Sequence, residues 1–453
     1  MIVISRERAR EISDFVFAAS PAAETEVILS SERGNSIRLA ECAPSEQNAL
    51  EEAQVWIRVV RDGKQGRSTG TSFSETALKR CLDQAWEAAA LAPPVELPPL
   101  ESESRGEDGG ISAEQAEELA EHGQETKLAQ LASYLRKGME EGLQLTGFYE
   151  TRGASTTYAT SAGCFRHGFT GKASFSSTAI LDPGGAGVGS GLAQTSTLGD
   201  AQVHEVGRVA ISKAKASRDP KPLDPGEYPV LLEPRAVGDL LMFLAWAGLG
   251  ARPFLDGSSF LSDKIGEKVL SETLSIVDDV WDPRLRGLGF DYEGQPTQRV
   301  TLVEEGVARA VVFDRPTARE AGRETTGHAG LQPSPSGPFP SSLILSPGET
   351  ESAELLGVLD KGILVTQLHY TNLMDPSNVT VTGLTRNGTF LVEGGEIVSP
   401  VQNLRFTMSL VEAFSQVRAV GREGRLVEAF FGGATIVPPL VLDAFHFTSA
   451  TEF

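Results

Sequence analysis

Two interruptions rich in proline limit which parts of this 453-residue chain can share one continuous helix or strand. The first, at 93–112, combines prolines, acidic residues and glycines, and the second lies at 220–225. Proline lacks a backbone N–H and disfavours helix in the residue before it, so regular elements tend to end at such sites. We therefore expect 93–112 to be a mobile linker, and we expect domains at 1–100, 113–222 and 226–453.

The first segment alternates between helical and strand patterns. Residues 5–19 carry their apolar side chains on one helical stripe, and Val55–Val60 has the composition of a strand. Asp62-Gly63 is a hairpin turn signal after that strand, and the sequence at 32–35 predicts a turn between two short strands. A helix is expected from Ser74 to about Ala92.

The second and third segments differ in their balance of elements. A long helix is expected at 113–141, followed by antiparallel strands between 146 and 179. The third segment opens with a strand, Tyr228–Leu232, and a strongly apolar helix near 235–249. Short strands then dominate, with Asn387-Gly388 expected as a hairpin loop. These patterns predict an α+β fold: an N-terminal α/β domain, a small middle domain of helix and antiparallel sheet, and a larger β-rich C-terminal domain with a buried helix.

Charge and cysteine content limit the possible partners. A net charge of −21 repels nucleic-acid phosphates and anionic lipid, so neither partner is expected. The three cysteines are widely spaced and fit no disulfide framework or metal knuckle, which favours a reducing compartment. The N-terminus has no signal-peptide pattern, and no apolar run approaches the ~20 residues of a membrane span. A cytoplasmic protein without a cofactor is expected.

Three patterns imitate catalytic motifs without completing them. His204-Glu205 begins a zinc-peptidase motif, but Arg208 and Val209 stand where a second histidine would be needed. The glycine-rich run at 182–191 lacks the lysine of a phosphate-binding loop. Ser190 lacks the flanking glycines of a nucleophile elbow. We interpret these stretches as a surface helix and a loop.

The most unusual polar cluster spans 368–376, where His369, Tyr370, Asn372 and Asp375 follow an apolar strand. One interpretation is a functional loop that carries hydrogen-bond donors and acceptors. The other is a structural loop in which Asp-Pro makes a turn and Asn satisfies backbone groups. The residues alone leave both interpretations open.

Several stretches resemble the TldD/PmbA family of metallopeptidase-related proteins along the length of the chain. They are the hairpin at 62–67, the opening of the third segment at 225–232, and the blocks 361–372, 383–397 and 400–407. In this family, one subunit type carries an HExxxH zinc site with a further cysteine ligand and cleaves peptides. The other type lacks the metal and pairs with the first.

The resemblance places the zinc-binding helix of the catalytic type at the apolar helix near 235–249. Met242 and Phe243 then stand near the first His and the Glu, and Ala247 stands near the second His. Thioether, phenyl and methyl groups supply neither zinc ligands nor a general base. No cysteine follows Cys164. The resemblance therefore implies the metal-free partner type, with no catalytic or metal residue of its own.

Three functions follow as hypotheses. The first is a non-catalytic subunit that forms a heterodimer with a TldD-like zinc subunit acting on unfolded peptides. The second is a stand-alone homodimeric peptide-binding protein, and the third is a metal-independent hydrolase using His369, Tyr370 and Asp375. Under the first two, we expect the peptide or the partner to be bound by a set of polar and aromatic side chains: His369, Tyr370, Asn372, Arg386 and Arg405.

Overall fold

The computed structural model describes residues 3–94, 98–181, 203–428 and 434–450, and the backbone of 188–195. Within these residues the protein combines helices with three largely antiparallel sheets, which confirms the predicted α+β class.

The first half of the chain builds one sheet and the helices that cover it. Its elements, in chain order, are α1 (Arg6–Ala19), β1 (Glu24–Ala40), β2 (Ala43–Arg61), β3 (Lys64–Gly70), α2 (Glu75–Leu91), α3 (Ala113–Glu121), α4 (Gln124–Glu140), β4 (Gln144–Thr160), β5 (Phe165–Ile180), β6 (Val188–Thr195) and α5 (Val203–Ala216). The strand order is β3-β2-β1-β4-β5-β6. Because β1 pairs with β4 along almost its whole length, the segments on both sides of the first proline-rich interruption share this sheet.

The turn predicted at 32–35 is wrong, because β1 runs unbroken through it. Gly34 serves a different purpose there, since a Cβ at this position would collide with the carbonyl oxygen of Thr151 on β4. The hairpin instead turns at Glu41 and Cys42, which both have positive φ. A glycine in a strand can mark close backbone approach as well as a turn, and the local sequence does not distinguish the two.

The long helix predicted at 113–141 is also wrong in one respect: it is two helices. Helix α3 ends at Glu121, and α4 begins after Gly123, which occupies its N-cap position. Glycine is tolerated at helix boundaries but weakens helix interiors, so the break falls where helix propensity is lowest.

The predicted mobile linker is anchored to its surroundings over the described residues 98–112. Gln295 donates a hydrogen bond to Glu101 (2.5 Å), and Ser104 Oγ donates to the Phe165 carbonyl (3.0 Å). The side chain of Arg166 is 1% exposed and forms an ion pair with Asp108 (2.6 Å). The polar residues and prolines of this segment predicted a free linker. In the structure, the same polar groups form hydrogen bonds and an ion pair with residues elsewhere in the chain.

The second half of the chain contains the remaining two sheets. Its elements are β7 (Gly226–Leu232), α6 (Pro234–Gly248), α7 (Ala251–Leu255), β8 (Ile276–Asp278), β9 (Val300–Glu304), β10 (Val307–Ala308), α8 (Arg315–Ala321), β11 (Leu343–Leu345), α9 (Leu355–Leu359), β12 (Gly362–Asp375), β13 (Thr380–Glu393), β14 (Glu396–Pro400), β15 (Leu404–Ser409), α10 (Leu410–Ser415), β16 (Val417–Val420), β17 (Arg425–Glu428), β18 (Ala434–Val437) and β19 (Leu440–Ala450).

The larger of these sheets returns on itself. Its order is β12-β7-β19-β15-β13-β14, and β13 also pairs with β12, so five strands form a hydrogen-bonded ring. The other sheet has the order β10-β9-β8-β11-β18-β17. Helix α6 lies in the large hydrophobic core of this half and contributes Leu240, Leu241 and Leu244, each with no exposed surface. The predicted buried helix is therefore confirmed.

Two loops predicted in the third segment are not loops in the structure. Residues 368–375 belong to β12, and Asn387-Gly388 lies inside β13. Asn387 and Gly388 have positive φ at a shift in the β12–β13 register, so they form an irregularity in the strand and not its end. Positive φ is common to hairpin turns and to bulges, which is why the sequence signal was ambiguous.

Candidate functional site

The candidate site is the outward face formed by β12, β13 and β15. His369 on β12 is paired with Leu384 on β13, and Leu384 is paired with Arg405 on β15. Arg386 follows Leu384 by two residues, so it points to the same side of the sheet. Asn372 shares this side, since it is paired with Thr382. The tertiary structure thus brings the predicted residues of β12 together with both predicted arginines.

The best-defined contact on this face joins His369 and Arg386. The Arg386 guanidinium lies within hydrogen-bond distance of His369 Nε2. Because arginine can only donate, His369 Nε2 must accept, and this assigns a neutral ring protonated at Nδ1. Partial burial and the adjacent Arg386 charge both lower the pKa of His369. The histidine therefore acts as a support for the arginine and has its Nε2 lone pair occupied.

Tyr370 protrudes from the candidate face at an irregular point in β12. Its side chain is 72% exposed, its φ is +49°, and its ring centroid lies 4.2 Å from that of His369. Asn372 donates from its side-chain amide to the Tyr370 carbonyl oxygen (2.8 Å), which helps to hold the irregular backbone. An exposed aromatic ring at a strained backbone position is suited to contact with another chain.

Asp375 is separated from the other residues proposed for the hydrolase. It lies six residues beyond His369 on the same strand, which corresponds to about 20 Å at the usual rise of a strand. Its carboxylate accepts hydrogen bonds from the backbone N–H (2.9 Å) and hydroxyl (2.7 Å) of Ser377, and these bonds lower its pKa. The structure thus does not bring His369, Tyr370 and Asp375 together as a catalytic group.

The positions assigned to the zinc-binding helix lie in the protein core. Met242 is 1% exposed, Phe243 is 2% exposed and Ala247 is 4% exposed, and all three belong to the main core cluster. Zinc requires imidazole, thiolate or carboxylate donors, and these side chains provide none. The residues present here do not fit the metal that the family resemblance implies for the catalytic subunit type.

The solvent-facing side of α6 does not replace the missing donors. It carries Arg235, Asp239 and the half-exposed Trp246. Burial raises the pKa of Asp239 to about 7, and the positive charge of Arg235 opposes the shift. One carboxylate beside an arginine is a poor cation ligand. Over the described part of the chain, no group of three or more His, Cys, Asp or Glu side chains is placed to hold a metal ion.

A cleft of about 580 Å³ that the sequence did not predict lies between the first sheet and the second half of the chain. Arg152 and Lys172, from β4 and β5, line one side, and Arg284 and Glu428 line the other. Lys172 bridges the cleft through an ion pair with Glu428 (2.7 Å). Arg152 and Lys172 are direct cross-strand neighbours. That pairing depends on the register of the strands, so neither residue stood out in the sequence.

Among the described side chains, the sequence patterns that imitated catalytic motifs acquire no partners for catalysis, and the Ser190 side chain lies outside the described part. His204 lies on α5, where its Nδ1 is 3.2 Å from Ser133 Oγ. The first part of the glycine-rich run, 182–187, lies outside the described residues.

Among the helices of the described ranges, none is long and apolar enough to cross a membrane.

Family models match two separate parts of the chain. The PmbA/TldA metallopeptidase domain 1 matches residues 25–89, and the PmbA/TldA metallopeptidase C-terminal domain matches residues 225–449. Together they cover well over half of the sequence. The chain therefore belongs to the PmbA/TldD family.

Curated relatives share moderate identity with the chain. A metalloprotease of Methanothermobacter thermautotrophicus is 27% identical over 237 residues, which are 51% of this chain and 50% of the relative. The metalloprotease PmbA of Escherichia coli O157:H7 is 25% identical over 249 residues, covering 54% and 52%. The chain thus spans about half the length of the curated relatives it matches.

Solved structures share the fold over nearly the whole chain. TldE from Thermococcus kodakarensis superposes with a TM-score of 0.85 at 21% identity, covering 97% of this chain and 100% of that one. A putative modulator of DNA gyrase from Thermotoga maritima gives a TM-score of 0.83 at 22% identity, with the same coverage. At these identities the likeness establishes the fold alone.

Proposed function

We propose that this chain is the non-catalytic, TldE-like subunit of a zinc metallopeptidase complex that acts on unfolded peptides in the cytoplasm. The observation that carries the proposal is the chemistry of α6 in a member of this family. The family resemblance places the zinc ligands and the general base near Met242, Phe243 and Ala247, and all three of these apolar side chains are buried. A partner subunit with an intact HExxxH motif would supply the zinc and the peptide cleavage.

The packing of α6 supports a structural role for this helix. In a zinc subunit, the same helix must leave space and solvent access for a metal-bound water. Here the core closes over it: a Cβ on Gly238 would collide with Val427 of β17, and one on Gly248 would collide with the ring of Phe260. On the sides that pack against the core, the helix stabilises the fold and has no space for a hydrolytic centre.

The outward face of β12, β13 and β15 is the surface we propose for binding the partner or the peptide. It combines an exposed aromatic ring, Tyr370, with the guanidinium groups of Arg386 and Arg405 and the amide of Asn372. Tyrosine and arginine are enriched at protein–protein interfaces because they offer a large contact area together with hydrogen-bond donors.

The cytoplasmic assignment is supported by the cysteines. Cys42, Cys81 and Cys164 are all buried with free thiols. Free thiols persist in a reducing compartment, whereas secreted proteins tend to pair them.

Coexpression with a zinc-bearing TldD homologue tests the proposal. This chain would carry the affinity tag, and the retained material would be measured by size exclusion with light scattering and by peptide cleavage. We expect a one-to-one complex whose cleavage activity is abolished by mutating the partner's HExxxH. As a test variant, Tyr370→Ala should weaken the complex or the cleavage. The control Met139→Ala removes another well-exposed large side chain, from α4, and should have no effect.

The alternative that remains is a homodimeric peptide-binding protein, because related subunits can pair with themselves by the same surface. In the same experiment it would appear as a dimer of this chain that excludes the zinc subunit. One tightly bound zinc per isolated chain, together with zinc-dependent peptide cleavage, would overturn both alternatives.

A further inference from the structure

Two arginines of the candidate face lack the carboxylate partners that most exposed arginines of this acidic protein have. Among the described residues, the Arg405 side chain has no hydrogen bond or ion pair, and the hydrogen-bond partner of the Arg386 side chain is the neutral ring of His369. By comparison, Arg418 in the same half of the chain forms an ion pair with Asp443 (2.6 Å). Within the part of the chain that the structure describes, the face thus holds two positive charges without a carboxylate partner.

The sheet register sets the distance between these charges. Leu384 lies opposite Arg405, and Arg386 is two residues further along β13. Such diagonal neighbours have Cβ atoms roughly 7–8 Å apart, and two long side chains at that distance can reach one ligand. The half-buried Leu384 lies between His369 and Arg405 and gives the centre of the group an apolar floor.

His369 restricts the position of one of the two guanidinium groups. By accepting a hydrogen bond at Nε2, it uses one of the five N–H donors of Arg386 and leaves the others free for a ligand. A guanidinium held in this way loses less conformational freedom on binding than a free one does. His369 is therefore a positioning residue for the arginine.

We propose that His369, Arg386 and Arg405 form a binding site for the carboxylate groups of an acidic peptide segment. The planar guanidinium group matches a carboxylate with two parallel hydrogen bonds. The net charge of −21 repels highly charged polyanions from the rest of the surface. A peptide with one or two carboxylates can still approach and would bind where the uncompensated positive charge lies. The site deepens the proposed function by naming the class of peptide.

Fluorescence anisotropy on the isolated full-length chain tests the site with four labelled forms of one unstructured peptide. The forms have either internal glutamates or glutamines, and either a free C-terminal carboxylate or an amide. We expect the fully neutral peptide to bind at least about tenfold more weakly than the fully charged one at low salt. The two intermediate forms show whether the α-carboxylate or the side-chain carboxylates supply the contact.

Substitutions connect the effect to the named residues. Arg386→Gln and Arg405→Gln should each weaken binding of the acidic peptide about fivefold, and they should leave the neutral peptide unaffected. Arg136→Gln is the matched control, because Arg136 is also exposed and forms no ion pair with the described residues, but it lies on α4. Replacing His369 with Ala should reduce binding, whereas His369→Gln retains an acceptor for Arg386 and should restore it.

The result that would overturn the site is equal binding of the acidic and neutral peptides, or an Arg136→Gln effect as large as those of Arg386→Gln and Arg405→Gln. Unchanged circular dichroism of the variants shows that they are folded. The same variants in the coexpression experiment separate the two proposals. Selective acidic-peptide binding without a zinc-subunit complex would support the site and contradict the proposed function. A complex with the zinc subunit but no selective binding of the acidic peptide would support the proposed function and contradict the site.

Discussion

Arg58 and Glu26 form an almost completely buried ion pair on neighbouring strands of the first sheet, with 2.6 Å between Nη2 and Oε2. The hydroxyl of Tyr158, on the third strand of the group, donates to the same carboxylate oxygen (2.8 Å). Burial lowers the pKa of Arg58, but the negative charge of Glu26 outweighs this effect, so the pKa is raised overall. This network lies where the first sheet contacts the loop that contains Glu293.

Removing one partner of this pair should be strongly destabilising. Glu26→Gln leaves the Arg58 charge buried without compensation, and we expect a loss of about 3–5 kcal/mol in the free energy of unfolding. Denaturant titration followed by circular dichroism measures it. Glu11→Gln is the control, since it breaks an exposed pair with Arg8 and should cost less than about 1 kcal/mol. Similar losses in both variants would contradict the prediction.

A buried histidine should make the protein sensitive to acid. His167 is 3% exposed, and burial, followed by the charge of Arg6, lowers its pKa to about 4. Its Nδ1 lies 2.8 Å from Thr157 Oγ1, while Nε2 is buried without a hydrogen-bond partner in the described structure. The unfolded chain therefore binds this proton more readily than the folded chain does.

The direction of the pH effect follows from these two pKa values. In the unfolded chain the pKa of a histidine is about 6.5. The neutral His167 ring therefore contributes about 3 kcal/mol to the free energy of unfolding above about pH 6.5, and this contribution decreases as the pH falls towards 4. His167→Gln should flatten the dependence of stability on pH in this window, as measured by denaturant titration at pH 7.5, 5.5 and 4.5. An unchanged pH profile in the variant would show that His167 is not responsible.

Arg166 should hold the 98–112 segment in place. Its guanidinium donates to the carbonyl oxygens of Arg105 and Glu107 and to the carboxylate of Asp108. Arg166→Met should lower the free energy of unfolding by roughly 2–4 kcal/mol. It should also release the segment, so that trypsin cleaves after Arg105. Limited proteolysis with mass spectrometry detects the new cut. Arg6→Met is the control. Arg6 also contacts Asp108, but its side chain is half-exposed, so this variant should leave cleavage after Arg105 unchanged.

Helix α6 should respond to mutation as a core element, and the protein should not respond to metal removal. Treatment with a chelator should leave the thermal midpoint unchanged. Phe243→Glu places a carboxylate in the core and should cost about 4 kcal/mol or more, without creating zinc affinity. Trp246→Glu, on the half-exposed side of α6, should cost clearly less. Scanning calorimetry measures both, and a fall in the midpoint after chelation would contradict the prediction.

The sequence by itself determined the apolar character of helix α6 and most of the regular elements. All eight residues of 240–247 are apolar and predict a buried helix, and their side chains supply no zinc ligand in any fold, since ligand chemistry belongs to the residues themselves. Strand β7 and helices α1 and α2 also agree with the predicted elements within a few residues, because local periodicity and capping depend on adjacent residues.

Only the tertiary structure decided which distant residues meet. The register of β12, β13 and β15 places His369, Arg386 and Arg405 on one face, and the same strand geometry separates His369 from Asp375. Gly34 and Asn387-Gly388 were misinterpreted because a glycine or a positive φ serves turns, bulges and close strand contacts alike. Pairing between strands is non-local, so one sequence pattern is compatible with several registers until the surrounding core selects one.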